Sequence, residues 1–500
     1  MSALVDHLWL GFSVALTPEN IAFCFAGTML GTLIGVLPGI GPVATVAMLL
    51  PATFGLPPIG ALIMLAGIYY GAQYGGSTAA ILVNLPGESS SVVTCLDGYQ
   101  MARKGQAGKA LGIAAIGSFF AGCVSTVVIV LLGPPLGALA QTFGPAEYFS
   151  LMILGLICLI AMSSGSVAKS LAMVFVGLLL GLVGTDVTSG AQRMTLGIPR
   201  LVDGIDFVPL ALGLFGISEL LRNLDQPELR VAAPKRIRGL LPNRADLRQA
   251  FPAIVRGTAI GSVLGALPGG GAVLSAFAAY MVEKRVAKDP SRFGQGAIEG
   301  VAAPESANNA GAQASFIPLL TLGIPPNPVM ALMIGAMMIQ GIAPGPQIMT
   351  QQPKLFWGMI ASMWIGNLML LLINLPLVGI WVRMLTVPYR VLFPAILILC
   401  CIGVYSVNDS ALEVAFMMLF GVVGYGLYKL GFDPTPLLLA FVLSPFIEEN
   451  LRRAMLMSHG NPVVFVSEPV SAGLLVAAAI VLLLSVLPSV RRARDETFKE

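Results

Sequence analysis

The chain has 500 residues, 56% of them hydrophobic and 11% charged, with a net charge of +3 and a mean hydropathy of +0.86. Soluble domains carry about a quarter charged residues, so this composition belongs to the polytopic helical membrane proteins. It excludes much else: the charge is dispersed over loops, which argues against a nucleic-acid partner, and no GxxxxGK[ST] occurs to hydrolyse ATP. Six cysteines without a CxxC spacing and two histidines without HExxH argue against a disulfide framework or a metalloprotease centre.

In chain order, an N-terminal segment, 1–19, lacks a basic n-region and reads as mature sequence. A first membrane repeat follows over 20–221. It opens on GTMLGTLIGVLPGIGPV (27–43), an apolar run interrupted by Pro38, Gly39, Gly41 and Pro42. Gly27, Gly31 and Gly35 form a small-xxx-small face for close helix packing. Pro-Gly-x-Gly calls for another reason, because it removes helical hydrogen bonds and permits unusual backbone angles. Unpaired backbone at membrane depth persists only where protein buries it or it lines a cavity.

A dense polar patch comes next, YYGAQYGGSTAAILVNLPGESSSVVT (69–94), with Gln73, Ser77, Thr78, Asn84, Glu88 and Ser89 and an expected turn at Pro86-Gly87. The loop 97–109 is basic, whereas the connection 53–58 is neutral. Apolar runs at 110–133, 151–162 and 168–185 approach the ~20 residues that span hydrocarbon. DFVPLALGLF (206–215) lies near the end of the repeat. A basic linker, 222–249, carries Arg222, Arg230, Lys235, Arg236, Arg238, Arg244 and Arg248 and is expected to be cytoplasmic.

The second repeat, 250–455, restates these motifs in the same order. GTAIGSVLGALPGGGAV (257–273) aligns without gaps on 27–43, so Gly39 and Gly41 are answered by Gly269 and Gly271. GAQ at 71–73 recurs at 311–313, NLPGES (84–89) answers GIPPNP (323–328) with a one-residue slip, and DPTPLLLAFV (433–442) echoes 206–215. Matches in one order mark a duplicated unit. The second polar patch (303–329) supplies Glu305, Asn308, Asn309, Gln313, Thr321 and Asn327 and is expected to turn at Pro325-Pro326. Here the charge pattern is reversed: 283–292 is basic and 340–353 has no charge, which sets corresponding loops on opposite sides. Arg452 and Arg453 do not fit that scheme, which puts them outside. Runs at 356–381, 391–404 and 470–488 are again apolar, and 456–500 reads as a C-terminal helix with a cytoplasmic tail.

The expected fold is therefore an all-α polytopic membrane protein. It has two inverted-topology repeats with interrupted helices and re-entrant hairpins, and about 10–14 membrane segments. Such repeats point to a secondary transporter with its site near the midplane. The patches contain no lysine or arginine, so an anion there would be held by helix N-terminal N–H groups, side-chain donors and a co-transported cation. An ionised Glu88 or Glu305 needs a partner, since a buried unpaired charge costs several kcal/mol by order of magnitude. Asp97 is expected to face water, and Asp206 and Asp433 to cap helices. A hydrolase built on Ser89–Ser91 or Glu88 has no base nearby, so no enzyme is expected. A passive channel for small organic anions is the alternative to a symporter.

GTLIGVLPGIGP, the stretch from YYGAQYGG to GKALG and PESANNAGAQASFIPLLTLGIPPNPVMALM together resemble the large membrane subunit of tripartite tricarboxylate transporters, the TctA family. The resemblance runs from about residue 20 to 455. It implies a bacterial inner-membrane importer of citrate-like tricarboxylates or related carboxylates, driven by Na+ or H+ and without a cofactor. It also implies a small TctB-like membrane subunit and a periplasmic TctC-like solute-binding protein as partners. Carried over, the site comprises Gly39, Gly41, Gln73, Ser77, Thr78, Asn84, Pro86, Gly87, Glu88 and Ser89. From the second half come Gly269, Gly271, Glu305, Asn308, Asn309, Gln313, Thr321, Pro325 and Asn327, with Na+ expected at Asn84, Asn308, Asn309 or Thr321.

Overall fold

The computed structural model describes residues 2–486 apart from 38, 163–165, 187, 226–236, 238, 270, 386 and 388. Pro38, the linker cations Arg230, Lys235, Arg236 and Arg238, and the expected tail beyond 486 lie outside the described residues. After α1 (Ser2–Ala15), the first half runs α2 (Pro18–Gly35), α3 (Pro42–Leu49), α4 (Pro58–Val83), α5 (Val92–Arg103), α6 (Ala107–Ala140), α7 (Pro145–Met162) and α8 (Val167–Gly181). A short antiparallel hairpin of β1 (Gly184–Thr185) and β2 (Gln192–Arg193) leads to α9 (Phe207–Ala211), which a π-helical turn joins to α10 (Ser218–Asp225).

The second half runs α11 (Arg244–Gly265), α12 (Gly271–Val286), α13 (Glu299–Ala314), α14 (Phe316–Leu322), α15 (Pro328–Ile339), α16 (Gln347–Gln351) and α17 (Pro353–Asn374). α18 (Val378–Met384), α19 (Tyr389–Asn408), α20 (Ala411–Lys429) and α21 (Thr435–Met457) complete it, before α22 (Val464–Ser467) and α23 (Pro469–Val486). Among the described residues six helices are long and apolar enough to cross a membrane, or seven if α1 and α2, bent by 75°, count as one span. This is fewer than hydropathy alone led us to expect, because several apolar runs are cut into shorter helices such as Pro42–Thr53 and Pro328–Ile339. α19 and α20 are peripheral: 17% and 22% of their apolar windows are buried, against 67% for α17.

The glycines set the packing of each half. A Cβ on Gly27, Gly31 or Gly35 would stand 2.2, 2.3 or 2.4 Å from the carbonyl oxygens of Met64, Ile68 and Ala72, so α2 lies directly on α4. In the second half Gly257, Gly261 and Gly265 stand at 2.3 Å from the carbonyls of Ala303, Ala307 and Gly311. Both helix pairs are parallel, so the chain doubles back through α3 and through α12. These seats also correct the register between the halves. Ala72 corresponds to Gly311, which puts the two GAQ tripeptides one residue out of step and makes their match incidental.

The two ends of the molecule can be told apart. Arg200 donates to Asp206 (2.6 Å) and to Glu413 at the start of α20, whereas Lys429 at its end pairs with Asp225. α9–α10 and α20 therefore run in the same direction. Around Asp206 gather Asn408, Met338 and Ile339, and Gln340 reaches the Thr53 carbonyl at 3.3 Å. At the other end lie Asp225 and the start of α11: Asn243 and Asp246 form a reciprocal cap of α11, and Lys109 pairs with Asp246 at 2.9 Å.

Candidate functional site

Each half brings its two breaks together. In the first, Gly39 has φ +81°, and the chain leaving α4 turns at Asn84, in the left-handed conformation (φ 58°), rather than at Pro86. It returns so that Gly87 packs on Gly76 and the Gly35 carbonyl. In the second, the turn is at Gly323 (φ 71°), and the Gly269 N–H (φ +78°) donates to the Pro326 carbonyl at 2.9 Å. Gly41 and Gly271 face these returns, their Cβ positions 3.4 Å from the Gly87 carbonyl and 3.6 Å from Asn327. The Asn223 amide touches Gly39, whereas Met162 and Cys158 of α7 lie against Gly269.

Where α4 and α13 cross, a polar seam joins the halves. Gln73 Nε2 donates to Asn308 Oδ1 at 3.1 Å, Tyr70 OH to Gln313 Oε1 at 3.0 Å, and Asn308 Nδ2 to Glu88 Oε1 at 3.4 Å. Ser90 donates to the same Glu88 oxygen. One turn away on α13, Glu305 Oε1 accepts from Thr94, and Asn309 Nδ2 donates to Ser118 Oγ at 2.7 Å. No lysine or arginine bonds either glutamate among the described residues. Gln73 Oε1 and Ser306 Oγ are buried with no protein partner, the kind of acceptor a water or ion satisfies. A narrow crevice lined by Tyr74, Ser77, Thr78, Glu305, Leu240 and Asn374 has room for about one water molecule.

Not all the sequence-derived residues meet there. Asn84 and Ser89 are exposed, and Thr321 bonds within its own helix to Ile317 O at 2.7 Å. Pro86 is half-buried and Pro325 buried, each in a turn after its helix. Asn327 caps α15 through Met330 N (3.0 Å) and donates to Ser315 Oγ at 3.0 Å, away from the Glu88 group. Of the four residues considered for Na+, only Asn308 and Asn309 lie on the seam. Thr94, Tyr70, Ser90 and Ser118 were missed, although the first three stand in or beside the motif already quoted.

Of the three acids read from the sequence, two differ from expectation. Asp97 is fully buried, not water-facing, because backbone N–H groups replace its hydration. Asp206 makes no cap bond and serves Arg200 and Asn408 instead, whereas Asp433 does accept Thr435 N at 2.9 Å. Arg452 now has an account: it donates twice to Asp186 (3.0 and 2.7 Å) and pairs with Glu448, which Arg193 also grips. Arg453 pairs with Glu449. The Arg452 guanidinium, with the Thr188 N–H, holds the Asp186 carboxyl well below the usual carboxylate range.

This fold and seam define a class: a multi-pass helical membrane protein whose core is built from paired broken helices. Residues 21–439 match the Tripartite tricarboxylate transporter TctA family, and the chain belongs to it. It is 56% identical over 500 residues, the full length of both chains, to the "Uncharacterized 52.8 kDa protein in TAR-I ttuC' 3'region" of Agrobacterium vitis. It is 59% identical over 240 residues to the "Uncharacterized protein in TAR-II ttuC' 3'region" of the same organism, covering 48% of this chain and 99% of that one. No solved structure matches it. The chain is thus a membrane subunit of a three-part transport system.

Proposed function

We propose that the chain is the large subunit of a binding-protein-dependent symporter that imports tricarboxylates or related carboxylates with Na+ or H+. A small membrane subunit and a periplasmic solute-binding protein complete it in the bacterial inner membrane. The observation that carries the reading is the seam itself: the buried Glu305 and the half-buried Glu88 meet amides and hydroxyls from both halves at the crossing of broken helices, with no lysine or arginine bonded to either among the described residues. A dicarboxylate or tricarboxylate would use the amide and hydroxyl donors, and a cation or proton would neutralise the glutamates.

Two further features belong to this reading. The doubled-back segments α2–α3 and α11–α12 act as re-entrant hairpins, supported by the parallel seating of α2 on α4 and α11 on α13. An inverted relation between the repeats is supported by the first hairpin opening near Thr53, beside Gln340, and the second opening near Glu283, beside Arg256. The linker end is then cytoplasmic by its basic residues. The test is uptake of labelled citrate and smaller carboxylates into proteoliposomes holding both membrane subunits, with the binding protein added. Uptake is expected only with a Na+ or H+ gradient. Equal uptake without either gradient would show a channel instead.

A further inference from the structure

Asp97 lies one turn beyond Thr94 on α5, and its partners all belong to the other half of the chain. Oδ1 accepts the backbone N–H groups of Gly294, Gly296 and Ala297 at 2.9, 2.7 and 2.7 Å, and Oδ2 accepts Tyr280 OH at 3.0 Å. Gly300 is needed there, because a Cβ would stand 2.1 Å from Oδ2. Nearby, Lys104 Nζ donates to Gln295 O at 2.5 Å. The carboxylate thus sits where the chain enters α13, a place that favours negative charge.

The position matters because α5 and α13 carry both ends of the seam. Thr94 of α5 donates to Glu305 of α13, and Ser90, just before α5, shares Glu88 with Asn308 of α13. A sideways slip of about 1 Å between the helices would break such bonds. We propose that Asp97 is a positioning residue for the seam: by binding the start of α13 from α5, it holds Thr94 against Glu305. The inference rests on the seam being the transport site. A mere staple of the fold would change how much folded protein is made, but not how the remaining protein handles its coupling ion.

The experiment measures initial citrate uptake in the complete reconstituted system, with Na+ varied at fixed pH and then pH varied at fixed Na+. It compares the wild type with Asp97→Asn, Thr94→Val, the double variant and Tyr280→Phe, each normalised to folded protein by size-exclusion chromatography. Asp97→Asn and Thr94→Val are each expected to weaken apparent affinity for the coupling cation about 10-fold, and Tyr280→Phe about 3-fold. The double variant should be no worse than the weaker single variant, because Asp97 acts through Thr94. Multiplying effects, or an unchanged affinity with only a lower maximal rate, would overturn the proposal. If Asp97→Asn does not fold, Tyr280→Phe combined with Thr94→Val decides in the same way. A wild type that takes up no carboxylate under any gradient fails the functional reading and this proposal together, whereas an active wild type with unaltered variants fails only the proposal.

Discussion

Glu88 and Asn327 hold the same place in the two halves, at the start of the helix that leaves the second break, yet they reach for different partners. Glu88 looks across the molecule to Asn308. Asn327 looks inward, to Ser315, whose hydroxyl in turn donates to the Gly265 and Gly311 carbonyls. The second break is therefore tied into its own half, and the first is tied to its neighbour. α5 extends the contrast through Asp97, whereas the corresponding helix, α15, offers only alanine and methionine at Ala336 and Met337. Shared backbone geometry does not oblige shared chemistry: the glycine seats keep the halves alike while side chains at equivalent positions take separate tasks.

The glycine seats are where the comparison should break most completely. Gly31→Leu and Gly261→Leu each drive a side chain into a carbonyl 2.3 Å away, against the Ile68 backbone in one half and the Ala307 backbone with the Ala310 Cβ in the other, with no rotamer to yield. Both should lose at least about 3 kcal/mol and most of the folded protein, more than ordinary overpacking, as read by size-exclusion chromatography. A tolerated substitution in one half would mean that only the other half depends on the close approach.

Next come the breaks. Gly39→Val and Gly269→Val force a β-branched residue into positive φ, at a cost of about 1–2 kcal/mol, and fill the space facing Asn223 or Met162. Both should stop uptake while membrane levels hold. If only one does, the halves are not functionally equivalent.

The paired asparagines sharpen the contrast further. Asn308→Ala removes the link between Gln73 and Glu88 and should reduce uptake about 10-fold at normal protein levels. Asn309 bonds Ser118 and its own helix, so Asn309→Ala should instead lower thermal stability by about 1 kcal/mol with less effect on rate.

The smallest effect concerns the β-hairpin. Asp186 is held below its ordinary value of 3.8, so its contribution is fully present above that pH and fades as the pH falls through the lowered value. Limited proteolysis should find the 184–206 loop protected at neutral and mildly acidic pH. Arg452→Gln should expose it at neutral pH.

Much of this was legible in the sequence. Period-four glycines and Pro-Gly breaks are local signals, and the polar patches announce themselves against an apolar background. What escaped was set by distant chain. Asp97 stands beside a basic loop and so reads as solvated; its donors lie around residue 295, and backbone N–H groups leave no trace in composition. Arg452 looked misplaced until Asp186 supplied its partner. The repeated GAQ misled because three small or polar letters recur easily, whereas register is fixed by which carbonyls the glycines meet. Turns fell at Asn84 and Gly323 because those residues accept left-handed angles that the nearby prolines cannot.

The ring of donors around Asp97 also bears on speed. Any rearrangement that parts α5 from α13 must strip a buried carboxylate of four hydrogen bonds before water can replace them, and each such bond to a charged group contributes roughly 1.5–3 kcal/mol. A barrier of that size slows a motion by orders of magnitude. Motions that leave this contact intact, including those of α15, face no such delay, so the two sides of the seam can relax on separate clocks.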